Sequence, residues 1–284
     1  MRLKDIQNIF HKELDPIYGK EEVDSFFFML IDDYFNIFRI ELALQPELSI
    51  TKVEQMPVFK ALDDLKKQKP IQYILGKTEF FGLPFKINNH VLIPRPETEE
   101  LVDWILSSTD SESQIRILDI GTGSGCIAIS LAKNLPSSKV FALDVSSEAL
   151  ELTQENALLN NVEVECIKAD ILNLKKEIDQ EIEFDIIVSN PPYVRQLEKS
   201  KIKKNVLEYE PHLALFVKDD DSLKFYKAIS QFAVNRLNKN GLLFFEINEY
   251  LGGEVISLLK AQNFKNIVLK QDHFKKDRMI KASK

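Results

Sequence analysis

The sequence has few of the residues that build several common kinds of functional site. Its two cysteines and four histidines are scattered, so neither a zinc site nor a Cys/His nucleophile is expected. Basic residues number 37 against 44 acidic ones, and the net charge of -7 argues against direct binding to nucleic acid. The longest apolar cluster, at residues 26–31, is too short to span a bilayer. We therefore expect no metal, no membrane segment and no direct nucleic-acid partner, in a cytoplasmic protein that is a monomer.

Glycine is almost absent from the first 72 residues, where apolar residues recur at intervals of three and four. Val23, Phe26, Phe27, Leu30 and Ile31 lie on one face of such a helix. The pattern predicts a small helical domain over residues 1–72. We expect this domain to recognise the substrate.

The periodicity changes over residues 73–107. The stretches "TEFFG" and "PFKIN" flank Gly82 and Pro84 and predict a short hairpin, and a helical pattern follows from Glu97 to Leu106. We expect this hairpin and helix to form a linker between two domains.

Residues 108–284 alternate between apolar strands and helical segments. The strands "IRILDI", "KVFALD", "VEVECIKA", "FDIIVSN" and "GLLFFEIN" are nearly all apolar, which is typical of a parallel sheet buried on both faces. The predicted fold class is α/β, with a mostly parallel sheet covered by helices on both faces and preceded by the helical domain and the hairpin linker.

A glycine loop follows the first of these strands, in "ILDIGTGSGCIAISLA". Such a loop lets the backbone approach a ligand at a helix N-terminus, but it serves dinucleotides, nucleosides and simple turns alike. Asp144 ends the next strand, where an acid can accept both hydroxyls of a ribose, and Asp170 follows the third. These acids favour S-adenosylmethionine over a dinucleotide. The candidate cofactor-binding residues are Gly121, Thr122, Gly123, Gly125, Asp144, Asp170 and Asn190.

The fourth strand ends in "VSNPPYVRQ", where two prolines form a stiff, extended turn. At the carboxyl end of a strand in an open α/β sheet, this turn is expected to face the ligand. A planar amide or aniline-like nitrogen is a poor nucleophile and must be held in line with the methyl group. Asn190 Oδ1 and the Pro191 carbonyl can accept its two N–H groups, while Pro192 stiffens the turn and Tyr193 covers the conjugated plane. An Asx turn without catalytic meaning is the simpler alternative.

Taken together, "GTGSG" and "NPPYV" resemble the class I methyltransferases that modify exocyclic or amide nitrogens. "PIQYILGKTEFFGLPF" and "VLIPRPETEELV" resemble, more narrowly, the HemK/PrmC-type release factor glutamine methyltransferases. The resemblance covers nearly the whole chain. It implies a class I methyltransferase Rossmann-like sheet and methyl transfer from S-adenosylmethionine to the glutamine of the Gly-Gly-Gln motif in class I peptide release factors, with S-adenosylhomocysteine as product.

The resemblance also implies roles for individual residues. Asn190, Pro191, Pro192 and Tyr193 would hold the glutamine amide, and Phe81 would line its pocket. Arg95 and Glu97 lie in the motif that closes the pocket, or else form an ion pair or a helix cap. Glu210 matches a family motif without a role that the residues explain. The loop at 216–222 reads "FVKDDDS" where the family usually has a glycine-rich turn.

Two other functions remain open. The same site would accept an adenine or guanine amine in DNA or RNA, since a flipped base offers a similar planar nitrogen. The domain could also bind S-adenosylmethionine without catalysis and act as an adaptor, although a silent site gives no reason for "NPPY".

Overall fold

The computed structural model describes residues 1–110, 112–174, 178 and 182–284. Two compact units are present. The first comprises Met1–Gly76 and Lys203–Tyr209, and the second comprises Lys77–Ile202 and Glu210–Lys284. Among the described residues, no helix combines the length and the apolar character needed to cross a membrane.

Before residue 77 the structure is helical, and after it helices and strands alternate. In chain order the elements are α1 (Leu3–Tyr18), α2 (Lys20–Phe35), α3 (Arg39–Leu44), α4 (Lys52–Lys66), α5 (Ile71–Leu75), β1 (Lys77–Phe80), β2 (Leu83–Lys86), α6 (Pro96–Ser107), β3 (Arg116–Ile120), α7 (Cys126–Asn134), β4 (Lys139–Asp144), α8 (Ser147–Leu159), β5 (Glu165–Lys168), β6 (Phe184–Ser189), β7 (Val194–Arg195), α9 (Lys204–Tyr209), α10 (His212–Leu215), β8 (Phe216–Val217), α11 (Lys224–Arg236), β9 (Leu237–Glu246), α12 (Gly252–Ala261), β10 (Lys265–Gln271) and β11 (Asp277–Ser283).

The first unit buries the apolar stripe that the sequence shows on α2. Phe27 packs edge-on against Phe10 of α1, with ring centroids 5.5 Å apart, and both side chains are fully buried. Burial of such side chains stabilises the unit by about 1.5–3 kcal/mol each. α9 belongs to this unit, and the hydroxyl of Tyr209 donates to the carbonyl of Lys67 at 3.0 Å.

The second unit contains a seven-stranded sheet in the order β10-β11-β9-β6-β3-β4-β5. The strands from β9 to β5 are parallel, and β11 is antiparallel to both of its neighbours. Ile117 of β3 packs with α6 and α7 on one face, whereas Leu118 packs with α11 and α12 on the other. The predicted α/β fold, with helices on both faces of a mostly parallel sheet, is confirmed.

β11 is a strand that the sequence did not predict. Its residues "DRMIKAS" mix charged and apolar side chains and form neither an apolar run nor a regular alternation, so the segment carries no clear strand signal. Met279 and Ile280 are nevertheless fully buried, because β11 lies between β9 and β10 inside the sheet.

The segment at 73–107 is divided between the two units, with the boundary after Gly76. The hairpin β1–β2 turns at Phe81 and Gly82, which have φ of 52° and 71° and make a two-residue loop. Phe80 and Phe85 are buried in the same core as Leu101 of α6. From Lys77 onward the predicted linker therefore packs as part of the second unit, because a change of periodicity marks a change of local structure and not the edge of a core.

Candidate active site

The site begins where the strand order reverses. In the sheet, β4 and β5 lie on one side of β3, and β6 lies on the other. The carboxyl ends of β3 and β6 therefore flank the crevice in which open α/β sheets bind ligands. Ile120 pairs with Ser189 in parallel register, and Ser189 Oγ donates to the Ile120 carbonyl at 2.6 Å. The glycine loop and the Asn-Pro-Pro turn therefore leave the sheet side by side.

The first two glycines of the loop leave open space. Gly121 and Gly123 have φ of 75° and 58°, and a Cβ added to either would meet no atom within 4 Å. Both line the cleft, together with Thr122 between them. Their left-handed backbone and bare surface let a ligand approach the main chain closely.

Gly125 has a different part in the structure. It caps the N-terminus of α7 at φ 81°, and a Cβ there would lie 2.8 Å from Thr153 Cγ2 and 2.9 Å from Ile129 Cδ1. It is not among the residues that line the cleft. Gly125 thus permits close packing of α7 on α8, which supports the loop from behind.

Two acids line the cleft at the ends of the next two strands. Asp144 Oδ2 accepts from the backbone N–H of Gly123 at 2.9 Å, and Oδ1 accepts from that of Ser146 at 2.9 Å. Burial raises the pKa of Asp144, although these backbone donors oppose the rise. Asp170 Oδ1 accepts from the N–H of Leu172 at 2.9 Å. An ionised carboxylate has about four acceptor positions, so Asp144 can hold the loop and still accept from a ligand.

A third acid lies behind the loop. Asp119 is fully buried, and its Oδ2 accepts from the Thr122 hydroxyl at 2.6 Å, while Oδ1 has no hydrogen-bond partner among the described residues. Burial raises the pKa of Asp119 to about 7. Asp119 does not line the cleft itself, but its carboxyl group fixes the side chain of Thr122, which does.

The Asn-Pro-Pro turn presents two acceptors. Asn190 Nδ2 donates to Thr98 Oγ1 at 3.2 Å, which turns Oδ1 away from that contact. Among the described residues, neither Asn190 Oδ1 nor the Pro191 carbonyl accepts a hydrogen bond. Asn190, Pro191 and Pro192 all line the cleft. The turn is held further on, where β7 pairs with β8 and Leu197 N–H donates to Asp219 of the 216–222 loop at 3.0 Å.

The hydroxyl group of Tyr193 makes a hydrogen bond inside the protein. It donates to Glu246 Oε1 at 3.0 Å, and the residue is not among those lining the cleft. Burial raises the pKa of Tyr193 far above its ordinary value, so the phenol stays protonated and remains a donor. The structure therefore gives Tyr193 a hydrogen bond that the sequence did not predict.

Thr98 and Glu246 were missed by sequence reasoning. Glu246 ends β9 and is 1% exposed, and its Oε2 accepts from the Thr98 hydroxyl at 2.6 Å. An acid that ends the apolar strand "GLLFFE" at the carboxyl edge of the sheet was the available signal, of the same kind as Asp144. Thr98 on α6 gave no comparable signal.

Of the three remaining predicted residues, one lines the cleft and two do not. Arg95 lines it and pairs with Glu210, with Nη2 2.6 Å from Oε1. Glu97 lies in the first turn of α6 and does not line the cleft. Phe81 occupies the hairpin turn, where its N–H donates to Glu99 Oε1 at 2.8 Å, and it does not line the cleft either.

The cleft has a volume of about 450 Å³, within the range of small-molecule sites. Its walls combine the open glycine loop and the two strand-end acids with apolar side chains, among them Ile127, Leu143, Ile171 and Phe225. This donor and acceptor set suits a nucleoside that carries a positive charge and lacks a pyrophosphate, as S-adenosylmethionine does.

Comparison with known proteins places this geometry in a family. The model of the methyltransferase small domain matches residues 101–213. A release factor glutamine methyltransferase of Flavobacterium psychrophilum is 53% identical, over 100% of this chain and 99% of that protein. One of Bacteroides thetaiotaomicron is 39% identical, over 96% and 97%. The crystal structure of a methyltransferase from Pyrococcus furiosus superimposes with a TM-score of 0.52 at 18% identity, over 82% of this chain and 98% of that one, and so shares the fold.

Proposed function

Because this chain belongs to the family of release factor glutamine methyltransferases, we propose that it transfers a methyl group from S-adenosylmethionine to the side-chain amide nitrogen of a glutamine in class I peptide release factors. The glutamine is that of the Gly-Gly-Gln motif, and S-adenosylhomocysteine is the product. The observation that carries the proposal is the pair of open acceptors, Asn190 Oδ1 and the Pro191 carbonyl, beside an acid-lined cleft.

In this proposal the cofactor binds at the carboxyl ends of β3, β4 and β5. When bound, S-adenosylmethionine supplies an electrophilic methyl group on a positively charged sulfur. Asp144 accepts the ribose hydroxyls, and Asp170 accepts from the adenine amine. Gly121, Thr122 and Gly123 let the main chain approach the ligand, whereas Gly125 acts by packing α7 on α8.

The substrate half is assigned to the turn after β6. An amide nitrogen shares its lone pair with the carbonyl group, so it reacts only when it is held in line with the methyl carbon. Asn190 Oδ1 and the Pro191 carbonyl accept its two N–H groups and fix that orientation, which is worth on the order of 7 kcal/mol of barrier. A new N–C bond would form as the C–S bond breaks and the sulfur keeps the bonding pair, and the nitrogen would then lose one proton to solvent.

A neutral side chain at position 190 suits this reaction. A carboxylate there would add a third negative charge to a cleft that Asp144 and Asp170 already line, whereas the amide oxygen of Asn190 accepts an N–H without a charge. Asn190 is the residue that touches the reacting amide in this proposal, and Tyr193 supports the turn through Glu246. We further propose that the helical domain recognises the release factor and that the protein acts as a monomer.

The test is transfer of a labelled methyl group to purified, unmethylated release factor, with duplex DNA and ribosomal RNA assayed in parallel. Mass spectrometry of the Gly-Gly-Gln peptide should show one added methyl on the glutamine. Asn190→Ala should abolish transfer and leave the Kd for S-adenosylmethionine within about threefold. Asn235→Ala, at an exposed position on α11, is the matched control and should change neither.

Each other outcome identifies a different function. Label in nucleic acid alone would move the acceptor to a base amine. Cofactor binding without transfer to any of the three acceptors would favour the adaptor.

A further inference from the structure

Glu246 lies next to the proposed catalytic turn because of strand register. Ser189 of β6 pairs with Phe245 of β9, so the residues that follow them, Asn190 and Glu246, lie next to each other at the carboxyl edge of the sheet. Glu246 is almost completely buried, and each of its carboxylate oxygens accepts one hydroxyl. Oε2 accepts from Thr98 at 2.6 Å, and Oε1 accepts from Tyr193 at 3.0 Å. The carboxylate thus joins α6, β9 and the turn after β6.

The chemistry of the three groups fixes the direction of each hydrogen bond. An ionised carboxylate only accepts, so the single proton of the Thr98 hydroxyl points to Glu246. Thr98 Oγ1 then has only lone pairs to offer its other neighbour. Asn190 must meet it with the amide nitrogen, at 3.2 Å, and its Oδ1 is left to face the other way.

We propose that Glu246, acting through the Thr98 hydroxyl, is a positioning residue that holds the Asn190 amide with Oδ1 toward the substrate. This inference rests on the proposed function, in which Oδ1 accepts an N–H of the substrate amide. The two ends of an asparagine amide have almost the same shape, so packing alone does not choose between them. With the amide reversed, Oδ1 would face a lone pair of Thr98 Oγ1, and Nδ2 would present a donor to the N–H donor of the substrate.

The pKa of Glu246 lies above its ordinary value, and the ionised form is the one that accepts from both hydroxyls. Burial raises the pKa of Glu246, but the hydrogen bonds from Thr98 and Tyr193 and the positive charge of Arg278 oppose this rise, while Glu97 adds to it. Burial also keeps the phenol of Tyr193 protonated. Both hydroxyls therefore donate to Glu246, and Thr98 Oγ1 keeps its lone pairs for the amide N–H of Asn190.

The test uses three substitutions in the full-length protein. Thr98→Val keeps the side-chain shape and removes the hydroxyl, Thr98→Ser keeps the hydroxyl, and Glu246→Gln places an amide N–H where an acceptor stood. Thr98→Val and Glu246→Gln should lower kcat for methyl transfer by roughly 10–100-fold, as expected for loss of a supporting group. The Kd for S-adenosylmethionine should stay within about threefold. Thr98→Ser should retain most of the activity.

A second readout does not depend on turnover. In protein labelled with ¹⁵N-asparagine, the Asn190 side-chain resonance is assigned by its loss in Asn190→Ala. Its hydrogen-bonded proton should exchange slowly with solvent in the native protein and in Thr98→Ser, and quickly in Thr98→Val. If Thr98→Val does not fold, Glu246→Gln is compared with Thr98→Ser in both measurements.

The outcomes separate this inference from the proposed function. Unchanged kcat and unchanged exchange in folded Thr98→Val or Glu246→Gln would overturn the inference while native transfer to the release factor stands. An equal loss in Thr98→Ser and Thr98→Val would assign the effect to packing and would overturn it too. If the native protein transferred no methyl to the release factor but Thr98→Val still freed the Asn190 amide, the proposed function would fail and the orienting role would stand.

Discussion

Arg95 and Glu210 form an ion pair in which Nη2 lies 2.6 Å from Oε1. The Glu210 side chain is 1% exposed, and its Oε2 also accepts from the N–H of Ile93 at 3.3 Å. Pro94 and Arg95 line the cleft. Glu210 therefore holds one wall of the cleft from behind, a place in the structure that the family motif alone did not explain.

Removing the cation should leave this buried carboxylate without its strongest partner. We expect Arg95→Ala to lower the free energy of unfolding by about 1–2 kcal/mol, because hydrogen bonds to charged groups contribute on that scale and Arg95 is partly exposed. Urea unfolding measures the change. Lys86→Ala is the control, since the pair of Lys86 and Glu155 is 55% exposed on both sides and should contribute nothing measurable. Equal effects of the two substitutions would contradict the structural role of Glu210.

Gly125→Ala should destabilise the second unit by roughly 2–4 kcal/mol. A left-handed backbone costs a non-glycine residue about 1–2 kcal/mol, and overpacking against Thr153 and Ile129 adds a similar amount. Gly253→Ala in α12 is the control, because a Cβ there meets nothing within 4 Å and φ is not left-handed. Thermal unfolding of the two variants should differ clearly. A stable Gly125→Ala variant would mean that α7 and α8 separate more easily than their packing indicates.

Asp119 should make stability depend on pH. Its pKa is raised to about 7 in the folded protein by burial, above the value near 4 of an unfolded chain. The folded state therefore holds the proton more strongly. The resulting stabilisation is complete below about pH 4 and is lost as the pH rises through about 7, with a total on the order of 4 kcal/mol.

Asp119→Asn isolates this contribution, because Asn can still accept from Thr122 and does not titrate. The stability of the variant relative to the native protein should rise between about pH 4 and pH 7 and level off above pH 8. Urea midpoints at several pH values measure it. Asp144 and Glu246, whose pKa values are also raised by burial, remain in both proteins, so the difference between the curves reports Asp119 together with its charge interaction with Asp144. Parallel curves for the two proteins would show that Asp119 does not titrate in this range.

Local chemistry made part of the site predictable. Gly121 and Gly123 need a backbone that only glycine adopts easily, and Asp144 is an acid that ends an apolar strand, so each carries its meaning in a few neighbouring residues. The parallel strands β3, β4, β6 and β9 follow in the same way from runs of apolar residues. α4 carries two conflicting signals, because Thr51 caps a helix that begins at Lys52, whereas a proline such as Pro57 is typical of the first turn of a helix.

What could not be predicted depends on residues that are distant in the sequence. Thr98 and Glu246 meet at 2.6 Å only because α6 packs on β9, and Tyr193 reaches the same carboxylate from the turn after β6. Phe81 looked like a pocket residue from the motif around it, whereas its left-handed turn and its bond to Glu99 follow from the docking of the hairpin. Strand register and helix docking set these contacts.

The Glu246 carboxylate depends on the hairpin formed by β10 and β11, because β11 pairs directly with β9. Among the described strands, β10 pairs with β11 alone, so the two strands should dock and open as one cooperative unit. Met279 of β11 pairs with Glu246 itself. Transient opening of this hairpin would release one flank of β9 and let water reach Glu246, so the precision of the methyl-transfer site is coupled to the local unfolding free energy of a segment that contributes no residue to the cleft wall.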